Sequence, residues 1–126
     1  MSKKIIQSNA APAPIGPYSQ AVEVNGMVFV SGIIALVPGT DNLIMDSIEA
    51  ETHQVMKNMS AILNEAGLTF DHIVKSSIFL MNMADFATVN TVYGSYFKSD
   101  FPARETVQVA GLPKGVRVEI SVIAAR

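Results

Sequence analysis

Four residues stand out for chemistry because their types are costly where the pattern puts them. Glu119 interrupts the apolar terminal run Val116–Ala125, and a carboxylate there is expensive to desolvate unless it has a partner or a task. Two readings stay open for it: an acid–base group, or half of an ion pair with Arg117 or a lysine on a neighbouring strand. Arg104 follows Phe101-Pro102-Ala103, so its planar fork, suited to gripping a carboxylate bidentately, stands on a stiff base. Taken alone, an arginine there is more simply a solvated surface residue. Asn90 falls near the apolar stripe of a predicted helix, where an amide needs hydrogen-bond partners; capping a neighbouring loop would also satisfy it. Tyr18 follows a proline-rich loop that would hold its hydroxyl toward a cleft, or it is a packing aromatic with a satisfied hydroxyl.

Other chemistries are excluded by composition. The 126 residues include no Cys, so disulfides, thiolate metal sites and a Cys nucleophile are ruled out. Nine Lys and Arg against eleven Asp and Glu leave a net charge of −2, too little basic surface for phosphate-backbone binding as a main task. No glycine-rich phosphate loop or Gly-x-Ser-x-Gly elbow occurs. Glu49 and His53 share a helix face at i, i+4, but two ligands do not make a metal site, and no metal is expected. The seven methionines read as core fillers. The apolar stretch Met27–Val37 is too short to span a bilayer, and Met-Ser-Lys-Lys lacks the apolar run of a signal peptide. A cytoplasmic protein is expected.

The elements that must position these residues follow from periodicity and punctuation. Pro12, Pro14, Gly16 and Pro17 forbid helix and central strand over that stretch, which reads as a rigid loop after a short strand at Lys4–Gln7. Asn25-Gly26 marks a hairpin between Ala21–Asn25 and Met27–Val37. Asp46, with Glu49 three residues on, is the expected cap of a helix whose stripe is Ile48, Thr52, Val55, Met59, Ile62 and Ala66. Glu49, Glu51, Gln54, Lys57 and Asn64 occupy its other angles, and Gly67 ends it. A strand over His72–Asn82 should turn Val74, Ser76, Ile78 and Leu80 one way and Lys75, Ser77, Phe79 and Met81 the other. His72 itself reads as the start of that strand. A helix over Asp85–Lys98 buries Phe86, Val89, Tyr93 and Phe97. Strands at Glu105–Val109 and Val116–Ala125 flank a turn at Gly111–Gly115.

The order β-β-β-α-β-α-β-β predicts one α+β domain over residues 1–126, with a mixed sheet and two helices packed on one face. The other sheet face, with Arg117, Glu119, Ser121, Ile123 and Ala125 beside Lys75, Ser77, Phe79 and Met81, is neither clean core nor clean solvent. Such a face predicts burial between subunits of a homo-oligomer.

Five segments in order resemble the RidA/YjgF family of reactive-intermediate deaminases. They are Ala11–Ala21 with its Pro-x-Pro-x-Gly-Pro-Tyr core, Val30-Ser31-Gly32, Asp85–Asn90, Phe101-Pro102-Ala103-Arg104, and Leu112-Pro113 followed by Val118-Glu119-Ile120. The resemblance runs over essentially the whole chain. It implies a chorismate-mutase-like fold assembled as a homotrimer with active sites in clefts between subunits. It further implies hydrolysis of 2-imino or enamine acids such as 2-aminoacrylate and 2-iminobutanoate to 2-oxo acids and ammonia, without cofactor or metal. Arg104 would then be the carboxylate clamp, with the Thr106 backbone N–H as a second contact. Glu119 would activate water and shuttle a proton to the leaving amine. Tyr18, Ser31, Gly32 and Ile33 would line the pocket and Asn90 would support it. Arg104 and Glu119, far apart in sequence, should converge on one small anion at a seam between protomers.

Three positions depart from the pattern: Ile33 where many members carry Gln, Glu105 where many carry a small residue, and Thr106 where many carry Cys. Ile33 would make the pocket more apolar. Strand alternation should send Glu105 to the face opposite Arg104, and a backbone contact at Thr106 would survive the lost thiol. Two other functions compete: a ligand-sensing regulatory protein using the same cleft without turnover, and an RNA-cleaving translation inhibitor, against which the net charge speaks.

Overall fold

Strict alternation along the C-terminal strand decides where the core lies. Val118, Ile120, Val122 and Ala124 are buried while the residues between them are not, so one face of that strand packs inward. The computed structural model describes residues 2–126. It contains β1 (Lys4–Ile6), β2 (Ala21–Val24), β3 (Met27–Ile33), α1 (Ile48–Glu65), β4 (Ile73–Leu80), α2 (Phe86–Gly94), β5 (Ala103–Gln108) and β6 (Val118–Ala125), with short 3-10 turns at Phe70–His72, Met83–Asp85 and Pro113–Gly115. The strands form one sheet in the order β1-β2-β3-β6-β4-β5. All neighbours are antiparallel except β4 and β5, which run parallel with α2 as their crossover. Val55, Met59 and Ile62 of α1, Val89 and Tyr93 of α2, and the inward residues of β3, β4 and β6 belong to one apolar cluster. This is the expected α+β arrangement.

The differences from expectation lie mostly at element ends, where local hydrogen bonds decide. Helix α1 is capped by Ser47 rather than Asp46. Ser47 is extended, and its hydroxyl accepts from the Ala50 N–H at 3.0 Å. Strand β3 stops at Ile33 instead of running to Val37, because the buried Asn58 amide of α1 donates to the carbonyls of Ile34 (3.1 Å) and Leu36 (2.8 Å). Those donors replace a ladder partner, and Ile34, Leu36 and Val116 form a small second cluster. Helix α2 is shorter than Asp85–Lys98. After Gly94 the chain tightens to i→i+3 bonds, Tyr96 N–H to Tyr93 O and Phe97 N–H to Gly94 O, both 3.2 Å, and Phe97 is still buried. His72 lies in a 3-10 turn ahead of β4, where its Nδ1 accepts from the Thr69 N–H at 3.0 Å. Val74 is exposed and Ile73 is buried in its place, because the β4–β6 register shifts between Ile73 and Lys75.

Glu51 is the largest correction. Placed by periodicity on the polar side of α1, it is fully buried. Its carboxylate accepts from the Arg117 Nε and the Arg117 backbone N–H, each at 2.7 Å, while an Arg117 terminal nitrogen donates to Met45 O at 2.9 Å. The pair ties α1 to the entry of β6. Removing the arginine strands a desolvated carboxylate, a class of change that costs about 3–5 kcal/mol. Arg117 keeps about a third of its side chain exposed, which places Arg117→Ala near the lower end. Chemical denaturation should show a loss of roughly 3 kcal/mol with an unchanged m-value.

Candidate functional site

The stiff loop before β2 is held by one buried side chain. Gln20 Oε1 accepts from the Ser8 N–H at 2.7 Å, and its Nε2 donates to Ser8 O (3.1 Å), Ala11 O (3.4 Å) and Pro12 O (2.8 Å). Its own carbonyl accepts from the Ser31 N–H at 2.9 Å. Gln20 thus joins the proline loop to the bulge in β3, where the register against β6 shifts between Val30 and Ile33. In that loop the Tyr18 N–H bonds Gly16 O at 2.8 Å and the Tyr18 hydroxyl accepts from the Ile15 N–H at 3.2 Å. The ring is exposed. Ser31 Oγ donates to Ser19 O at 2.6 Å, which commits its proton and leaves its lone pairs to accept from elsewhere.

The bulge exists beside Glu119. A Cβ on Gly32 would sit 2.6 Å from Glu119 Oε2, closer than atoms can approach, so only glycine admits the carboxyl against the β3 backbone. Ile15, Tyr18, Ser31, Gly32, Ile34, Pro113 and Glu119 line a cavity of about 320 Å³. Of the two readings of Glu119, the ion pair is absent. Arg117 is taken by Glu51, Lys75 by Glu105 at 2.9 Å, and among the described residues Glu119 has no salt bridge or side-chain hydrogen bond. Burial pushes its carboxyl above the ordinary value of 4.5.

Arg104 stands elsewhere. Its register partner on β4 is Ser76, which is fully buried on the helix side of the sheet, so Arg104 leaves β5 toward α2. Its guanidinium carbon lies 5.2 Å from the Tyr93 ring centroid and 5.8 Å from that of Phe86. Half-buried Asn90 occupies the same stripe of α2 as those two rings. Thr106 also faces the helix side, and its hydroxyl is buried without a partner. The Val109 N–H donates to Leu80 O at 2.9 Å. Alternation therefore turns the N–H groups of Arg104 and Thr106 to the free edge of the sheet. Glu105 points the other way, as alternation requires, and pairs with Lys75 and the Ser77 hydroxyl.

The candidate residues therefore fall into two groups. Tyr18, Ser31, Gly32 and Glu119 gather at one cavity. Arg104, Asn90 and Thr106 gather at the β5 edge, on the opposite sheet face and with β4 between β5 and β6. Ile33 turns inward and is buried in the core; it borders only a small space of about 40 Å³ beside the cavity. Its neighbour Ile34, with Ile15 and Pro113, supplies the apolar lining, and no periodicity marked those three in advance. Gln20 was not singled out in the sequence and lay only within the Ala11–Ala21 segment that carries the resemblance. A wider groove of about 610 Å³ runs along α1 past His53, Lys57 and Tyr96. It holds none of these residues, and His53 is engaged by the Tyr96 hydroxyl at 2.7 Å. No group of three or more potential metal ligands occurs among the described residues.

The family model described as Endoribonuclease L-PSP matches residues 8–126, and the chain belongs to this family, the RidA/YjgF proteins. It is 44% identical over 124 residues to Reactive Intermediate Deaminase A, chloroplastic, of Arabidopsis thaliana, covering 98% of this chain and 66% of the relative. It is 46% identical over 124 residues to the 2-iminobutanoate/2-iminopropanoate deaminase of Bos taurus, covering 98% of this chain and 90% of that protein. The crystal structure of a Rid-family protein of unknown function from Yersinia pestis superposes with a TM-score of 0.96 at 48% identity, covering 99% of this chain and 100% of the other. No helix among the described residues is long and apolar enough to cross a membrane.

The raised carboxyl sets a pH signature. An acid whose folded pKa exceeds its unfolded value binds more protons in the folded state. It therefore makes stability fall as pH rises from the unfolded value through the folded one. Glu119→Gln should remove that decline. Thermal unfolding should find the variant more stable than wild type at pH 7, with the difference vanishing below about pH 4, near the ordinary carboxylate range.

Proposed function

We propose that the protein hydrolyses 2-imino acids and their enamine tautomers, such as 2-iminobutanoate and 2-aminoacrylate, to 2-oxo acids and ammonia. The observation that carries this reading is the Glu119 carboxyl, unpaired and half-buried against the Gly32 backbone at a small cavity. The relative named 2-iminobutanoate/2-iminopropanoate deaminase supports it, as does the one named Reactive Intermediate Deaminase A. The substrate has a carboxylate beside an electrophilic C=N carbon. Arg104 holds the carboxylate in its fork, and the outward N–H of Thr106 adds a second donor. Glu119 takes a proton from water as the oxygen adds to the imine carbon, then returns it to nitrogen. Glu119 then carries the proton of the carbinolamine hydroxyl to the amino nitrogen, the C–N bond breaks as the carbonyl forms from the hydroxyl oxygen, and ammonia leaves with both electrons of that bond. Tyr18 and Ser31 line the wall, with the Ser31 oxygen free to accept from the imine N–H.

Because the two groups face away from each other, the site is completed by a neighbouring subunit: the Glu119 cavity of one protomer meets the Arg104 edge of the next. A homotrimer gives three such seams. It also covers the half-apolar sheet face that exposes Phe29 and Val107. Small-molecule hydrolysis fits the net charge of −2 better than RNA cleavage, which needs cations along a phosphate backbone. Location in the cytoplasm remains part of this reading.

In a coupled dehydratase assay that generates 2-aminoacrylate, Arg104→Ala and Glu119→Gln should each lose the accelerated release of ammonia, the latter by about 10²–10⁴ in kcat. Gly32→Ala should fold normally, since only a flexible carboxyl obstructs the new methyl, yet lose activity as Glu119 is displaced. Mixing unfolded Arg104→Ala and Glu119→Gln chains and refolding them together should restore activity, because mixed assemblies contain an intact seam. Full activity of Arg104→Ala alone would overturn the clamp, and no recovery on mixing would overturn the shared site.

A further inference from the structure

Arg104 has an unusual environment for a charged side chain. It is half-buried, yet among the described residues it forms no ion pair and no side-chain hydrogen bond. What it has instead are two aromatic faces, Tyr93 at 5.2 Å and Phe86 at 5.8 Å, seven residues apart on one stripe of α2. Tyr93 is itself immobilised. Its hydroxyl donates to Ser76 Oγ at 2.8 Å, and Ser76 is the β4 residue in register with Arg104. Its ring lies 4.9 Å from that of Phe97. One tyrosine therefore bonds to the strand beside the arginine and underlies the arginine's charge.

Ring faces differ from carboxylates in what they leave free. An acidic partner would hold Arg104 by its in-plane N–H groups, the same donors that a substrate carboxylate needs, and would cancel the charge that attracts it. A π-face attracts the cation through its quadrupole without accepting those in-plane bonds. Resting on the deaminase reading above, we propose that Phe86 and Tyr93 are positioning residues for the carboxylate clamp, a two-ring cradle that orients the Arg104 guanidinium while leaving its donors unclaimed.

The test measures the Kd of 2-oxobutanoate, a 2-oxo acid product carrying the same carboxylate, alongside KM and kcat for the imine. Phe86→Leu and Tyr93→Leu keep apolar bulk and remove the π-face. Each should weaken 2-oxobutanoate binding by about three- to tenfold and raise KM to match, with kcat little changed. Tyr93→Phe restores the ring without the hydroxyl: binding should return toward the wild-type value although the lost bond to Ser76 lowers Tm. A merely structural role predicts the reverse, with binding following Tm across the series. Phe86 is only partly buried, so Phe86→Leu carries the test if Tyr93→Leu does not fold. Folded leucine variants that bind as wild type does would overturn the cradle, as would Tyr93→Phe weakening binding as much as Tyr93→Leu. Wild-type protein that binds 2-oxobutanoate but accelerates no imine hydrolysis would overturn the deaminase reading while the Kd series still decides the cradle. Wild-type protein that does not bind it would overturn the clamp and the cradle together.

Discussion

Side-chain alternation along β5 and β6 is the constraint on which the rest depends. In a strand, neighbouring residues leave on opposite faces, and a shift of one residue reverses them all. With Val118 and Ile120 fully buried, Glu119 is committed to the open face; with Ser76 opposite it in the core, Arg104 is committed to the helix side. No rotamer brings the two charges together through the sheet. The same alternation leaves an open face of mixed character, with Phe29 on β3 and Val107 on β5 exposed and Glu105 paired to Lys75.

Buried polar side chains do the connecting where regular ladders end. Gln20 holds the proline loop, Asn58 takes the carbonyls beyond β3, and Glu51 takes Arg117 at the entry of β6. Each joins segments distant in sequence by satisfying groups that would otherwise be buried unpaired. The Glu51 pair has a second consequence. By occupying the cation two residues from Glu119, it leaves that carboxyl without a counter-charge, and desolvation then moves its pKa upward.

The two groups of candidate residues are held in different ways. At the cavity, a bulge and a residue with no Cβ let a carboxyl lie against backbone, so the acid is held by shape. At the β5 edge, aromatic faces hold a guanidinium whose hydrogen-bonding atoms remain open. In both places the charged group is oriented without being neutralised, the condition for meeting a ligand with little reorganisation.

Much of this was legible in the chain itself. The strand and helix order, most of the inward faces and the Asn25-Gly26 turn follow from local spacing, because hydrophobic periodicity and turn chemistry act within a few residues, while the five motifs are legible by resemblance to the family. The opposite facing of Glu105 and Arg104 followed from alternation alone. The failures share a cause. Glu51 sat at a polar angle of its helix, but its burial depended on an arginine 66 residues away. Val74 was displaced by a register shift against β6, and β3 ended where an amide from α1 captured its carbonyls. The linings from Ile34 and Pro113 and the rings beneath Arg104 likewise come from other elements. Sequence alone determined which residues could form strands, helices and charged candidates. Only the tertiary structure decided which distant groups would satisfy one another, since pairing between segments is set by three-dimensional proximity that no local pattern encodes.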